Sequence, residues 1–139
     1  MSITIGKITY LSTNRIGKGS QETVVFSGLL GNRKVAVKKV SKIQTKLVNR
    51  EIELLEKSDR HENVLTYFLT EEDPQFYYIA LELCAFSLTE YVKNNHLKFL
   101  PRKEVIKQTL NGLIFLHELG IGMNRRLVLK SLNLYLIPF

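Results

Sequence analysis

Val35-Ala36-Val37-Lys38 is the stretch on which the reading of this chain turns. Three small or β-branched apolar residues make a strand, and a single cation ends it. An ammonium left in an apolar setting costs several kcal/mol, so Lys38 requires a negative partner. Two neighbouring stretches sit where they can supply that partner and a cargo. Upstream, Ile16-Gly17-Lys18-Gly19-Ser20 is a glycine turn between two strand-like segments. Downstream, Arg50-Glu51-Ile52-Glu53-Leu54-Leu55 has helical character and carries carboxylates.

Working outward, Ile3, Ile5, Ile8 and Tyr10 alternate with polar residues well enough for one or two short strands within residues 3–16. After the turn at residues 17–21, Thr23-Val24-Val25-Phe26 resumes as strand, and Gly31-Asn32 suits a hairpin into Arg33–Val40. The first 40 residues therefore read as a three-stranded antiparallel meander. From Gln44 to Lys57 the period changes: Val48, Ile52 and Leu55 recur at helical spacing, with Glu51 on nearly the same face. Glu51 is either the partner of Lys38 or a solvated helix charge equal to Glu53 and Glu56, and spacing alone leaves both open. Val64–Leu69 is a strand, Glu71-Glu72-Asp73-Pro74 a turn, and Gln75–Leu83 a second strand, apolar from Phe76 to Leu81 and so central. Five strands with one helix make a small α+β lobe.

Cys84-Ala85-Phe86 leaves the sheet. Ser87 and Glu90 form a capping box for a short helix, Leu88 to Asn94. Pro101 opens a longer helix to about Leu119, whose face is Val105-Ile106, Leu110, Leu113-Ile114 and His117. His117 on that stripe reads as a hydrogen-bonded core residue rather than a ligand. There is no internal repeat and no low-complexity linker.

Composition bounds the rest. At 139 residues the chain suits about one ordinary domain, and 45% hydrophobic with 24% charged residues is that of a soluble globular chain. No run reaches the ~18 apolar residues of a membrane span, and the N-terminus lacks the pattern of a secretory signal. The single Cys84 forms no internal disulfide, which suits a reducing, cytoplasmic setting. The net charge of +7 raises nucleic-acid binding, but the cations are scattered from Lys7 to Lys130. Lys34, Lys38 and Lys39 share a strand whose alternate residues face opposite ways, without interleaved stacking aromatics. Nucleic acid is therefore not expected as the primary partner.

Glycine-rich turn, V-A-x-K strand and helical glutamate, in that order, form the phosphate-clamping set of a protein-kinase small lobe. Further stretches are Asn32 to Lys38, Asp59-Arg60-His61-Glu62-Asn63-Val64, Glu72 to Ala80, Leu81-Glu82-Leu83-Cys84 and Gly112 to His117. Taken together they resemble the cytoplasmic kinase domain of the inositol-requiring endoplasmic-reticulum stress sensors, dual kinases and endoribonucleases of the unfolded-protein response. Ribonuclease L is similar more distantly. The resemblance covers residues 5–121. It implies a small lobe over 1–83, a hinge and the start of an incomplete large lobe over 84–121, and a divergent basic, leucine-rich tail over 122–139.

The resemblance also implies roles. Gly17 and Gly19 let loop backbone approach phosphates, Lys38 pairs the α- and β-phosphates of ATP or ADP, and Glu51 holds Lys38. Leu81 falls at the gatekeeper position. The Glu82 carbonyl and Cys84 amide meet the adenine edge, and Val24, Ala36 and Leu83 line the ring. The Cys84 side chain itself reads as a buried small hydrophobe. A full-length kinase relative is the implied protein partner.

Two departures qualify this. Glu22 stands at the third glycine position of the loop, and its charge near a triphosphate costs about 1 kcal/mol where the side chain swings to solvent. More seriously, the H-R-D-L-K-x-x-N loop expected after Ile121 is replaced by Gly122-Met123-Asn124-Arg125-Arg126-Leu127-Val128-Leu129-Lys130-Ser131-Leu132-Asn133. Read without a gap, Arg125 takes the position of the catalytic aspartate; with a three-residue insertion, Val128 does. Residues 120–139 contain no Asp or Glu, so neither a base nor a D-F-G metal ligand is expected there. The tail reads as an alternative or incomplete transcript in preference to an evolved pseudokinase loop, with the luminal sensor, membrane span and ribonuclease module outside the chain. Three functions follow: a kinase fragment; a truncated module that binds nucleotide weakly without Mg²⁺ or interferes with a full-length dimer; or an unstable product that bares an apolar helix face.

Overall fold

The computed structural model describes residues 1–18, 22–58, 61–94, 101–121, 130–131 and 134–135. It divides into two compact units. The first holds Met1–Ile52 and Tyr67–Leu83; the second holds Glu53–Thr66 and Cys84–Pro138.

The first unit is an antiparallel sheet of six strands: β1 (Ser2–Ile5), β2 (Ile8–Lys18), β3 (Val24–Leu30), β4 (Arg33–Ser41), β5 (Tyr67–Glu72) and β6 (Phe76–Glu82), in spatial order β1-β2-β3-β4-β6-β5. The sheet thus carries one strand more than the five expected. Gly6 takes a left-handed turn at φ 55°, which lets Ser2–Ile5 fold back on Ile8–Leu11 as a separate hairpin strand. At the next hairpin Gly31 takes φ 59° and Asn32 completes a two-residue turn, so Leu30 pairs Arg33 and every later pair follows from that count.

That register sorts the side chains onto two faces. One face gathers Ile8, Tyr10, Phe26, Val35, Val37, Tyr78 and Ala80 into a buried cluster, with Val24, Leu30, Phe68 and Phe76 packed against it. The sheet curls around this cluster. Its first turn reaches its far edge, where the Lys7 backbone N–H donates to Glu71 Oε1 at 3.0 Å. Tyr10 lies against Phe26 with ring centroids 4.8 Å apart and against Tyr78 at 5.9 Å.

The same face is tied at its margin by Asp73. Its Oδ1 accepts the backbone N–H groups of Gln75 at 2.8 Å and Phe76 at 2.7 Å, closing the β5–β6 turn. Its Oδ2 accepts the Tyr78 hydroxyl at 2.6 Å. That hydroxyl bond, with the two amides, holds the Asp73 carboxyl below its ordinary value, while burial and then the Asp73 bond push the Tyr78 phenol up.

Helix α1 runs Thr45–Ser58 behind a short 3₁₀ turn, Lys42–Gln44, started by Ser41, whose Oγ accepts the Ile43 N–H at 3.3 Å. Val48 and Leu55 are its buried residues on the expected face, with Ile52 and Glu51 half-buried.

In the second unit, His61 stacks on Phe115 at 4.8 Å, and Asn63 Nδ2 donates to Gln108 Oε1 at 3.4 Å. Gln108 Nε2 in turn donates to Glu104 Oε1 at 2.8 Å. These bonds fasten residues 61–63 to helix α3 (Arg102–Glu118), which opens after Pro101 as expected. Helix α2 is Leu88–Lys93, one residue shorter than expected; the Ser87 side chain of its expected capping box lies outside the described residues. Strands β7 (Phe86–Ser87), β8 (Lys130–Ser131) and β9 (Leu134–Tyr135) form a small second sheet, ordered β7-β9-β8.

Helix α3 does not bury the whole face read from its sequence. Val105, Gly112 and Leu116 are buried, whereas Ile106, Leu110 and Ile114 are 59%, 50% and 56% exposed. His117 is exposed too, so it is no core histidine. It sits one residue past Leu116, about 100° around the helix from the buried line.

Candidate nucleotide site

β4 lies between β3 and β6, and this central position buries Val35, Ala36 and Val37 completely. Lys38 is drawn into the same setting and is only 7% exposed. Its Nζ donates to Glu51 Oε1 at 2.5 Å. Of the two readings left open for Glu51, the structure selects the ion pair: α1 turns this carboxylate inward at the level of the strand's one buried cation. A charged donor on a charged acceptor makes this the strong kind of hydrogen bond.

The hairpin register places the other residues. Lys38 stands opposite Val25 on β3 and Ile79 on β6; Ala36 stands opposite Ser27 and Leu81. Directly opposed residues share a face, so Val25, Ala36, Lys38, Ile79 and Leu81 form one side of the sheet. All but Lys38 are within 1% of full burial. The side is a small apolar floor with one cation at its end.

Val24, expected to line the ring, is not on this side. It pairs Lys39 and packs against the Tyr10–Phe26 cluster on the other face. Val25 holds the position instead. Counting back from the two-residue turn at Gly31-Asn32 places Val25 opposite Lys38, and that count was available in the sequence.

The remaining expected residues fall as follows. Gly17 is half-buried in β2 and pairs Val25, just past two register shifts between Tyr10 and Gly17. Gly19 lies outside the described residues. Glu22 is exposed and takes φ 65°, the left-handed conformation that glycine adopts without penalty and a side chain does not. Glu82 ends β6 opposite Val35, and Leu83 follows it half-buried. Cys84 is buried and belongs to the second unit. Among the described residues no three His, Cys, Asp or Glu side chains are grouped to hold a metal ion. No helix among them is long and apolar enough to cross a membrane.

A strand lysine paired to a helix glutamate beside a small apolar floor, behind a glycine-bearing β-hairpin, is the small-lobe arrangement of a protein kinase. The protein kinase domain family matches residues 10–125, and this chain belongs to that family. Within it the chain is similar to the sensors that join a kinase to an endoribonuclease. It is 48% identical over 119 residues to the human serine/threonine-protein kinase/endoribonuclease IRE2, covering 84% of this chain and 13% of that protein. To ire-1 of Caenorhabditis elegans it is 40% identical over 114 residues, 80% of this chain and 12% of that protein. To IRE1 of rice it is 35% identical over 136 residues, with 84% and 15% covered. The chain therefore spans between 12% and 15% of the length of these relatives. The kinase match ends at Arg125, inside residues 120–139, which contain no Asp or Glu.

Proposed function

We propose that this chain is the nucleotide-holding part of a stress-sensor kinase domain of the unfolded-protein response, acting at the cytoplasmic side. On this reading it binds ATP or ADP weakly and without Mg²⁺, and it does not transfer phosphate. The observation that carries this is the Lys38–Glu51 pair at 2.5 Å, on the same side of the sheet as Val25, Ala36 and Leu81. A small residue such as Ala36 leaves room for a planar ring against the strand. Leu81 sets the depth of that floor, Lys38 meets the first phosphates, and Glu51 keeps the ammonium from folding away. Leu83 and the backbone of Glu82 and Cys84 would hold the adenine edge.

Phosphoryl transfer needs a carboxylate at the substrate hydroxyl and carboxylate or amide oxygens on the metal. Residues 120–139 hold no Asp or Glu, and Arg125 and Val128 occupy the two positions an aspartate could take. Melting with ADP tests the reading, because a ligand that binds only the folded state raises the midpoint. The expected result is a small rise, equal with and without Mg²⁺, that Lys38→Ala abolishes. A large Mg²⁺-dependent rise, or radiolabel incorporation that Lys38→Ala removes, overturns the inactive reading.

A second reading is that of a lobe docking onto a full-length relative and interfering with its dimer. Ile106, Leu110 and Ile114 favour it, forming an exposed apolar line at four-residue spacing on α3. Co-purification with the full-length sensor tests it; a chain that stays monomeric and unaccompanied in that mixture rejects it.

A further inference from the structure

Where β4 passes into α1, one apolar side chain of the first unit stands almost wholly in solvent. Ile43 is 93% exposed although the turn that carries it is pinned. Its N–H donates to Ser41 Oγ at 3.3 Å, the Thr45 hydroxyl donates to the Lys42 carbonyl at 2.5 Å, and the Lys42 N–H donates to the Gln75 carbonyl at 2.9 Å. A fixed turn therefore holds an isoleucine outward. Leu47, 62% exposed, follows four residues later, so the two lie on neighbouring turns of one face. Val48 and Leu55 take the buried line of the same helix.

The charges beside this apolar pair are of one sign. Residues 42–50 hold Lys42, Lys46 and Arg50 and no Asp or Glu. Lys42 is engaged, its Nζ lying 2.5 Å from Glu72 Oε2 and 5.2 Å from the Tyr77 ring centroid. Lys46 and Arg50 are exposed and make no ion pair among the described residues. At about 100° per residue, both fall on the same flank of Leu47. Lys46 in the first turn also opposes the helix dipole, with no acidic residue there to offset it, so its position does not stabilise α1.

We propose that Ile43 and Leu47, flanked by Lys46 and Arg50, dock a short amphipathic helix of a partner protein, one whose apolar anchors are bordered by Asp and Glu. Charge complementarity selects that occupant. A second copy of this chain, net charge +7, would bring the same two cations against themselves in a two-fold contact. Lipid-binding clusters carry about four to eight Lys or Arg, and two unengaged cations fall short of that. An amphipathic helix presents anchors three or four residues apart, which matches the separation of Ile43 and Leu47. None of the four residues belongs to the apolar floor or to the Lys38–Glu51 pair, so the proposal stands apart from nucleotide binding.

The test is selection of a displayed library of ~15-residue helical peptides on the purified chain, with counter-selection on Ile43→Ser with Leu47→Ser, then titration of the best peptide. Retained peptides should carry apolar residues at three- or four-residue spacing and net negative charge. The best of them should bind Ile43→Ser with Leu47→Ser, and Lys46→Glu with Arg50→Glu, at least about tenfold more weakly than wild type. Exchanging its acidic residues for Lys should restore binding to the charge-reversed variant. Melting midpoints should stay near wild type, because all four side chains are exposed. Where a double variant unfolds, Ile43→Ser alone reads the same loss. Retained peptides of neutral or basic composition, binding insensitive to both variants, or no retained peptide overturns the proposal. Sedimentation with phosphatidylserine–phosphatidylcholine vesicles, or self-association, that Ile43→Ser removes in place of peptide binding overturns it too, by giving the face to lipid or to a second copy.

Discussion

Lys38 and Glu51 hold each other in a setting where neither charge stands alone, with side-chain exposures of 8% and 20%. Removing one member strands the other, and a fifth of the glutamate surface remains to recover water. Lys38→Ala or Glu51→Ala is therefore expected to cost about 2 kcal/mol, below the full penalty of a deeply buried orphan charge. Replacing both, as Lys38→Met with Glu51→Leu, should restore most of that stability while removing any phosphate response. Denaturant midpoints for the two single variants and the double variant check this; a double variant as weak as the singles would show that the pair shapes the fold itself. Asp73 makes a pH-dependent contribution of definite sign. Its folded-state carboxyl titrates below the ordinary value of 3.8, so its stabilisation is complete above that value and is lost as pH falls through the folded one. Wild type and Asp73→Asn should differ most near neutrality and converge in strong acid, as read by midpoints at a series of pH values.

At the scale of elements, the hairpin β3–β4 decides which residues meet a ligand. A one-residue change of register exchanges its two faces completely. Gly28 guards that register. A Cβ added there would stand 2.6 Å from the Thr9 carbonyl oxygen and 2.7 Å from Val37 Cγ2, one on each neighbouring strand. Gly28→Ala is expected to cost about 2 kcal/mol by overpacking, with a loss of cooperativity visible in thermal melting. Residue pattern announced most of these elements. The lysine at the end of an apolar run and the glutamate at helical spacing are local signals that made the ion pair one of two open readings, and the fold decides between them because α1 brings Glu51 to Lys38. Val24 was misassigned because two adjacent valines are alike in composition, and only the pairing count tells them apart. The strand Ser2–Ile5 merged with the next in the sequence reading, because the Gly6-Lys7 turn is short and carries no proline or asparagine. On α3, burial follows Val105, Gly112 and Leu116 rather than the more apolar line beside it, which hydrophobicity alone does not foretell.

At the scale of the whole chain, the two compact units predict separate behaviour on ligand addition. Val25, Ala36, Lys38, Glu51 and Leu81 all belong to the first unit. Amide exchange in the presence of ADP should therefore slow first in β3, β4 and β6, with α3 little changed. Equal slowing throughout would point to a ligand bound elsewhere. The resemblance read from residues 32–38 and 72–84 was strong enough to identify the kinase group before any coordinates, because those segments combine turn, strand and charge in a fixed order.

The bond from the Lys7 amide to Glu71 joins the first hairpin to the opposite rim of the sheet, so it acts as a clasp on strands that already curl into a hoop around their shared core. An open ribbon frays from its free ends, but a hoop offers no loose end while the clasp holds. Cutting it, as Glu71→Ala would, should release both rims at once: amides of Ile3 and Ile5 and those of β5 would begin exchanging in step, though the two segments are more than sixty residues apart in the chain.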